Sequence, residues 1–269
     1  MKFKTFLINM DKSPERLSFM KKQLDACNIP FIRQVGIDGK TYDFTGLYND
    51  KTAREKNGSS LANVEKGCAL SHLLVLQQIC DQELDYALIL EDDVEIPTHF
   101  NEVLEEVLLR RKSGKTSWDY LAFNYPTVGY KFMRLWIFLL GEQFRKNPSL
   151  TLYLKLPLYA VKGCALIFFS LFEGFRDILY RDIYRFGVPG KFYRPIYLAG
   201  CYLVTKSGVE KLLAVQRAVI YPADRIQNIA RVKKGLKLFH FVPLLVKQRR
   251  DKFDSTMYQN KDYVFNKYD

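Results

Sequence analysis

The sequence predicts an α/β fold built on a central, mostly parallel sheet. Two observations carry that expectation. Short apolar runs such as Phe6-Leu7-Ile8 and Ala87-Leu88-Ile89-Leu90, which suit strands buried on both faces, alternate with longer stretches of helical periodicity. Residues 3 to 35 also read strand, helix, strand, an order that calls for a parallel pair joined by a right-handed crossover. With 269 residues and 48% hydrophobic content, the chain can bury the core of one large domain or two small ones.

The elements follow in order. Phe3 to Asn9 reads as the first strand. Ser13 stands before Pro14, a residue favoured at the first helical position, so Ser13 is the expected N-cap of a helix. Leu17, Met20, Leu24 and Cys27 then recur at helical spacing, and Phe31 to Val35 forms the second strand, closed by Gly36-Ile37-Asp38-Gly39. Residues 40 to 63 are polar and without period, and Gly58-Ser59-Ser60 reads as a loop. From Gly67 a buried helix is expected. Gly67 and Ala69 at its start leave room for another backbone or a ligand near the N-terminus, where anions are favoured. Ser71 and His72 are polar in this apolar context, and a lone His there is commonly a hydrogen-bonded core residue. Tyr86 to Leu90 is the next strand, Asn101 to Arg111 a helix after Pro97, and Trp118 to Asn124 another strand. Later, Pro195 to Thr205 returns to strand chemistry, and Ser207 with Glu210 reads as the capping box of a helix. Pro222 stiffens the chain just before Asp224, which is either aimed at a site or a helix cap. Phe239 to Val246, with Pro243 inside, reads as an edge strand, and a polar tail follows. The expected organisation is one domain over 1–246 and a polar C-terminal tail over 247–269.

The strand at Ala87 to Leu90 runs straight into Glu91-Asp92-Asp93. Adjacent carboxylates repel and raise one another's pKa unless something positive sits among them. Carboxylate oxygens suit hard cations such as Mn²⁺ or Mg²⁺, and ligands bind at the carboxyl ends of strands in open α/β sheets. The expectation is a metal and phosphate site there; a solvated acidic turn is the alternative. Asn9, Asp11 and Arg16, just past the first strand, are candidate contacts to a base, ribose or phosphate.

The chain carries a formal charge of +12, which implies an anionic partner. Residues 127 to 195 hold 11 Lys and Arg against 4 Asp and Glu, so +7 of that surplus is concentrated in one segment. Apolar and aromatic runs lie between those cations, among them Leu135-Trp136-Ile137-Phe138-Leu139-Leu140. That pattern fits an interfacial helix on an anionic membrane surface, or a second core layer with a basic rim. No nucleic-acid signature accompanies it, so no nucleic acid is expected as partner. The five cysteines form no C-x-x-C pair, which suggests neither a disulfide framework nor a zinc site and fits a reducing cytosol. Neither a signal-peptide core nor an apolar run long enough to span a bilayer is found, so a cytoplasmic protein is expected.

Four blocks in the order 5 to 224 resemble glycosyltransferase family 25, enzymes of lipopolysaccharide and lipooligosaccharide synthesis. They are Leu7-Ile8-Asn9-Met10-Asp11 with Ser13, Glu15, Arg16 and then Val35-Gly36-Ile37-Asp38-Gly39; Gly67-Cys68-Ala69-Leu70-Ser71-His72; Ile89-Leu90-Glu91-Asp92-Asp93-Val94; and Gly200-Cys201-Tyr202-Leu203-Val204 with Gly208 and Pro222-Ala223-Asp224. The resemblance implies a GT-A-type nucleotide-sugar-binding domain; its blocks do not cover 127–195, which is read from its own residues as a basic, aromatic helical insertion. It implies a UDP-hexose donor, most often UDP-galactose, a divalent metal, typically Mn²⁺, and an inverting transfer. In place of a D-x-D-type motif stand Glu91 and Asp93 as expected metal ligands, with Asp92 between them. Asn9, Asp11, Arg16, Asp38, Gly67, Ser71, Glu91 and Asp92 are the expected donor-binding residues. Asp224 is the first candidate for the base, ahead of Glu95 and His72. The implied acceptor is a lipid-linked oligosaccharide at the inner face of the cytoplasmic membrane, reached by a peripherally bound enzyme. A non-enzymatic membrane- or nucleic-acid-binding protein would explain the charge but not the acids, and a nucleotidyltransferase would share the metal and nucleotide.

Overall fold

The computed structural model describes residues 1–124, 188–191, 198–249 and 252–253, the stretch 188–191 by its backbone. In chain order the elements are β1 (Phe3–Asn9), α1 (Pro14–Ala26), β2 (Ile32–Val35), α2 (Asp50–Asn57), α3 (Asn63–Asp81), β3 (Tyr86–Glu91), β4 (Val94–Glu95) and α4 (Phe100–Lys112). Then come β5 (Tyr120–Ala122), β6 (Val188–Lys191), β7 (Cys201–Thr205), α5 (Lys206–Leu213), α6 (Ile226–Lys234), β8 (Leu238–Val242) and β9 (Lys247–Gln248). Apart from 188–191, the basic segment expected at 127–195 lies outside the described residues.

One sheet has the order β2-β1-β3-β7-β5-β8-β6, and β4 pairs with β9 beside it. β1 is parallel to both β2 and β3, and β5 is parallel to β8, while β7 and β6 run the other way. The central sheet is therefore mostly parallel, as the α/β, GT-A-type expectation has it. The chain goes from β1 to β2 on one side and returns to β3 on the other. This puts a topological switch point between the carboxyl ends of β1 and β3, where open α/β sheets bind ligands.

Both faces of the sheet are covered, which explains the continuous apolar strand runs. On one face Phe6, Ile8, Ala87, Ile89, Tyr202 and Val204 pack under Val75, Leu76 and Ile79 of α3 and Val209 and Leu212 of α5. The alternate residues Leu7, Leu88, Leu90, Leu121 and Leu203 are equally buried. Toward that side Phe100 of α4 meets Phe123 edge-on at 5.2 Å.

Local chemistry moved several boundaries. Ser13 is the N-cap of α1 with Pro14 behind it, but its hydroxyl makes no capping bond. Residues 50–57, within the stretch read as polar and without period, form α2, because Asn49 caps it by accepting from the Thr52 N–H and Gly58 ends it at φ 79°. α5 starts earlier than the Ser207 box implies: Thr205 accepts from the Gly208 N–H. β8 is an interior strand, since β6 pairs along its outer side, and Pro243 lies beyond its end. Among the described strands that edge position belongs to β6, which carries Pro189 where a missing N–H is tolerated.

α3 begins four residues before Gly67, with the Glu65 carboxylate reaching back to the Ala62 N–H at 2.7 Å. Gly67 thus sits inside the helix rather than at an anion-binding N-terminus. Its bare Cα lets the 37–39 loop pack against it: a Cβ there would meet the Ile37 carbonyl oxygen at 2.5 Å and the Gly39 nitrogen at 2.7 Å. Backbone cannot yield as a side-chain tip can. Gly67→Ala is therefore expected to destabilise the fold by about 1–3 kcal/mol, read as a fall in midpoint in urea unfolding, whereas Ala at the exposed Gln77 of the same helix shifts the midpoint much less.

Candidate functional site

β3 delivers its carboxyl end to the switch point and there turns. Ala87 to Leu90 are fully buried, Glu91 ends the strand, and Asp92 and Asp93 form the turn into β4. The turn lies on a cleft of about 180 Å³ whose walls include Asn9, Arg16, Asp38, Ser71, Glu91, Asp92 and Asp93.

The three acids have different surroundings. Asp92 turns toward β1 and α1, where it accepts from Asn9 Nδ2 at 2.8 Å and from Arg16 at 3.1 Å. Both members of that ion pair are buried. Burial still outweighs these partners and holds the Asp92 carboxyl above the usual range. Asp93 takes a bond from Gln248 Nε2 at 2.9 Å through Oδ2, and its backbone oxygen accepts from the Arg249 N–H at 2.7 Å. Its other oxygen, Oδ1, is buried with no hydrogen-bond partner. Burial, then the Glu91 charge, push the Asp93 carboxyl well up. Glu91 receives His72 Nε2 at 3.2 Å, and His72 Nδ1 meets the Tyr202 hydroxyl at 3.0 Å. Asp92 is thus neutralised by Arg16, whereas Glu91 and Asp93 repel each other across the cleft wall. A buried, unpartnered carboxylate oxygen beside a second carboxylate fits a hard divalent cation.

Of the expected donor residues, Asn9 is spent internally: it also donates to the Ser13 carbonyl and accepts from Arg33 at 3.0 Å. Arg16 supports Asp92 and lies 5.2 Å from the Phe253 ring centroid. Ser71 donates to the Gly67 carbonyl and accepts from the Ile37 N–H, so its hydroxyl pins the 37–39 loop to α3. Asp38 rims the cleft in an ion pair with Lys12, which holds its carboxyl below the usual range. Asp11 and Gly67 are not brought to the cleft: Asp11 is exposed and pairs with Arg33 at 2.7 Å, and Gly67 packs on the loop. Glu95 likewise turns to Arg249, at 3.1 Å.

Asp224 stands apart in sequence yet feels the charges of Glu65 and Glu91. Its Oδ1 is buried without a partner, and burial pushes the carboxyl up to about 7. His72, the other candidate, is held between Tyr202 and Glu91.

Two residues of this region escaped the sequence reading. Gln248 lies in the expected tail and no signal marks it. Asn124 ends the β5 segment; its Oδ1 holds the Cys201 N–H at 2.9 Å, while its Nδ2 is buried and unpartnered. Gly200 makes room for it, since a Cβ there would meet Asn124 Nδ2 at 2.6 Å and Glu91 Oε2 at 3.4 Å. Gly200 was visible as part of a block; its purpose was not.

Comparison with known proteins gives three findings. The family profile described as "Glycosyltransferase family 25 (LPS biosynthesis protein)" matches residues 2–227. Among curated relatives, procollagen galactosyltransferase 1-A of Xenopus laevis is 27% identical over 124 residues, 42% of this chain and 20% of that protein. The protein named "Probable inactive glycosyltransferase 25 family member 3" of Rattus norvegicus is 26% identical over 133 residues, 46% of this chain and 23% of its own. The chain thus spans about a quarter or less of the length of the relatives it matches. Among solved structures, a glucose-1-phosphate thymidylyltransferase from Bacillus anthracis aligns over 88% of this chain and 85% of its own, at 11% identity and a TM-score of 0.34.

Folding raises the Asp224 carboxyl to about 7, so the folded chain keeps this proton to higher pH than the unfolded chain. Its contribution to stability is complete below the ordinary carboxylate range and is lost as pH rises through about 7. Asp224→Asn is expected to raise the melting temperature by roughly 5 °C at about pH 8 and by much less at about pH 5. Thermal melts at the two pH values check this; an equal shift at both would refute the buried, proton-holding carboxyl.

Proposed function

The chain belongs to glycosyltransferase family 25, and from that premise we propose that it transfers a hexose, galactose first, from a UDP-sugar to a lipooligosaccharide or lipopolysaccharide core acceptor. One observation carries the reading: Asp93, with a buried unpartnered oxygen, stands beside Glu91 at the carboxyl end of β3, on a cleft at the switch point of the sheet. The galactosyltransferase name of a relative supports galactose.

Glu91 and Asp93 would hold a divalent cation, Mn²⁺ or Mg²⁺, which fits the buried, unpartnered Asp93 Oδ1. When bound, such a cation neutralises charge on the leaving diphosphate. The chain's own residues do the rest. Arg16 and Asn9 keep Asp92 turned inward and so set the direction of the turn. Gln248 holds one Asp93 oxygen and leaves the other for a ligand. Ser71 fixes the 37–39 loop that walls the cleft beside Asp38.

In an inverting transfer the acceptor oxygen attacks the anomeric carbon as the bond to the UDP oxygen breaks, and the hydroxyl proton passes to a base. Asp224 suits that base: it belongs to a different segment from the acidic turn, and a carboxyl raised to about 7 accepts a proton more readily than an ordinary one. Glu95, paired with Arg249, and His72, held on both nitrogens, are less suited.

Two substitutions separate the roles. With Mn²⁺ and a panel of UDP-sugars, the protein is expected to hydrolyse one sugar slowly without acceptor. Asp93→Ala lowers hydrolysis and transfer by at least about 100-fold with the circular dichroism spectrum unchanged. Asp224→Asn lowers transfer by about 100-fold or more while UDP binding by calorimetry persists. Near-normal turnover of Asp93→Ala with saturating metal sinks the metal reading; loss of UDP binding in Asp224→Asn moves Asp224 to the donor site.

A lipid-anchored acceptor is met at a membrane surface, and the +7 charge of 127–195 supports peripheral attachment there. No helix among the described residues is long and apolar enough to cross a membrane. The protein is expected to sediment with anionic liposomes at low ionic strength and to be released by salt; failure to bind at low salt counts against attachment.

A further inference from the structure

Beside the acidic turn lies a second donor set, of different chemistry. Cys68 and His72 are four residues apart on α3 and so share one helix face, directed at the end of β3. Cys68 Sγ is 3.9 Å and His72 Nε2 3.2 Å from Glu91 Oε1, and all three donor atoms lie within 4.8 Å of one another. Zinc bonds of about 2.0–2.3 Å at tetrahedral angles place ligand atoms about 3.3–3.6 Å apart. The Cys68–Glu91 and His72–Glu91 separations lie within about 0.4 Å of such an arrangement, and side-chain shifts of up to about 1.2 Å close the set on one ion.

The surroundings complete the site. If Nε2 takes a metal, Nδ1 carries the proton, and its partner is already in place: the Tyr202 hydroxyl at 3.0 Å. A ligating histidine is commonly oriented by such a bond on its other nitrogen. Tyr202 is itself held, buried on β7 and stacked on Tyr120 at 4.5 Å. Cys68 and Glu91 both border the cleft, which supplies an entry path and room for a water as fourth ligand.

We propose that Cys68, His72 and Glu91 form a binding site for a thiophilic divalent cation, Zn²⁺ foremost, distinct from the oxygen donors at Asp93. A thiolate, an imidazole and a carboxylate select a borderline-soft ion, whereas carboxylate oxygens alone suit Mn²⁺ or Mg²⁺. On binding, the Cys68 thiol proton leaves to solvent and a sulfur–metal bond forms. Glu91 belongs to both sets, so a zinc ion here withdraws it from the acidic turn. Inhibition of transfer by zinc follows from that sharing, and this consequence alone rests on the function proposed above.

Cobalt(II) is the probe. The full-length protein, chelator-treated and kept reduced with a non-thiol reductant, is expected to bind about one equivalent of Co²⁺ with a thiolate charge-transfer band in the near ultraviolet and d–d bands of a four-coordinate ion. Zn²⁺ displaces it and bleaches both. Cys68→Ser loses the charge-transfer band, and Asp93→Ala keeps it, which separates this site from the one proposed for the donor diphosphate. Melting curves show whether Cys68→Ser is folded; Cys68→Ala serves if it is not. Absence of the band in the unaltered protein, or its survival in a folded Cys68 variant, overturns the proposal.

Discussion

The structure depends on how three carboxylates are held at the end of a fully buried strand. Ala87 to Leu90 have no exposure and are bounded by β1 and β7, so the residues that follow cannot splay freely into solvent. Asp92 is drawn inward by Asn9 and Arg16, a buried pair whose separation would leave an uncompensated charge. Once Asp92 is committed, Glu91 and Asp93 face the cleft. The neighbouring elements are arranged around that split: α1 supplies the guanidinium, α3 and β7 the His72–Tyr202 contact to Glu91, and β9 the clamp on Asp93.

This arrangement is poor for stability and good for binding. Asp93 and Asp224 each keep a buried oxygen without a partner, and both carboxyls are pushed upward by burial before any neighbouring charge counts. Apolar or amide side chains of similar size would be more comfortable at both positions. Unsatisfied buried carboxylates persist where a ligand or a proton completes them, and both of these feel the charge of Glu91.

The β9 segment shows how far the site reaches along the chain. Lys247–Gln248 pair with Val94–Glu95, and just beyond them Phe253 packs edge-on against Phe19 of α1 at 5.3 Å. Residues from opposite ends of the sequence thereby converge on the turn at 91–93. A polar stretch with no hydrophobic period gives no hint of this, because most of its contribution is a short ladder, the Gln248 amide and the Arg249 contacts to Asp93 and Glu95 rather than burial of a periodic apolar face.

Much was legible beforehand. Apolar runs, helical spacing and the signals at Ser13-Pro14 and Pro97 located β1, α1, β3 and α4, while β2, a half-exposed edge strand, was read from the strand-helix-strand order. The alternation predicted an α/β sheet, and the acidic run at the end of an apolar strand marked the centre of the site. Short-range chemistry was there to be read at α2, where Asn49 and Gly58 bracket a polar helix, and at α5, where Thr205 caps in place of Ser207. What the sequence alone determined is thus which residues are buried in regular elements and where the acids fall. Which acid is neutralised, which is left for a ligand, and that Cys68, His72 and Glu91 meet at all was decided only by tertiary structure. Charge pairing and ligation depend on distances between segments tens to hundreds of residues apart, and those distances are set by strand order and helix packing rather than by spacing along the chain.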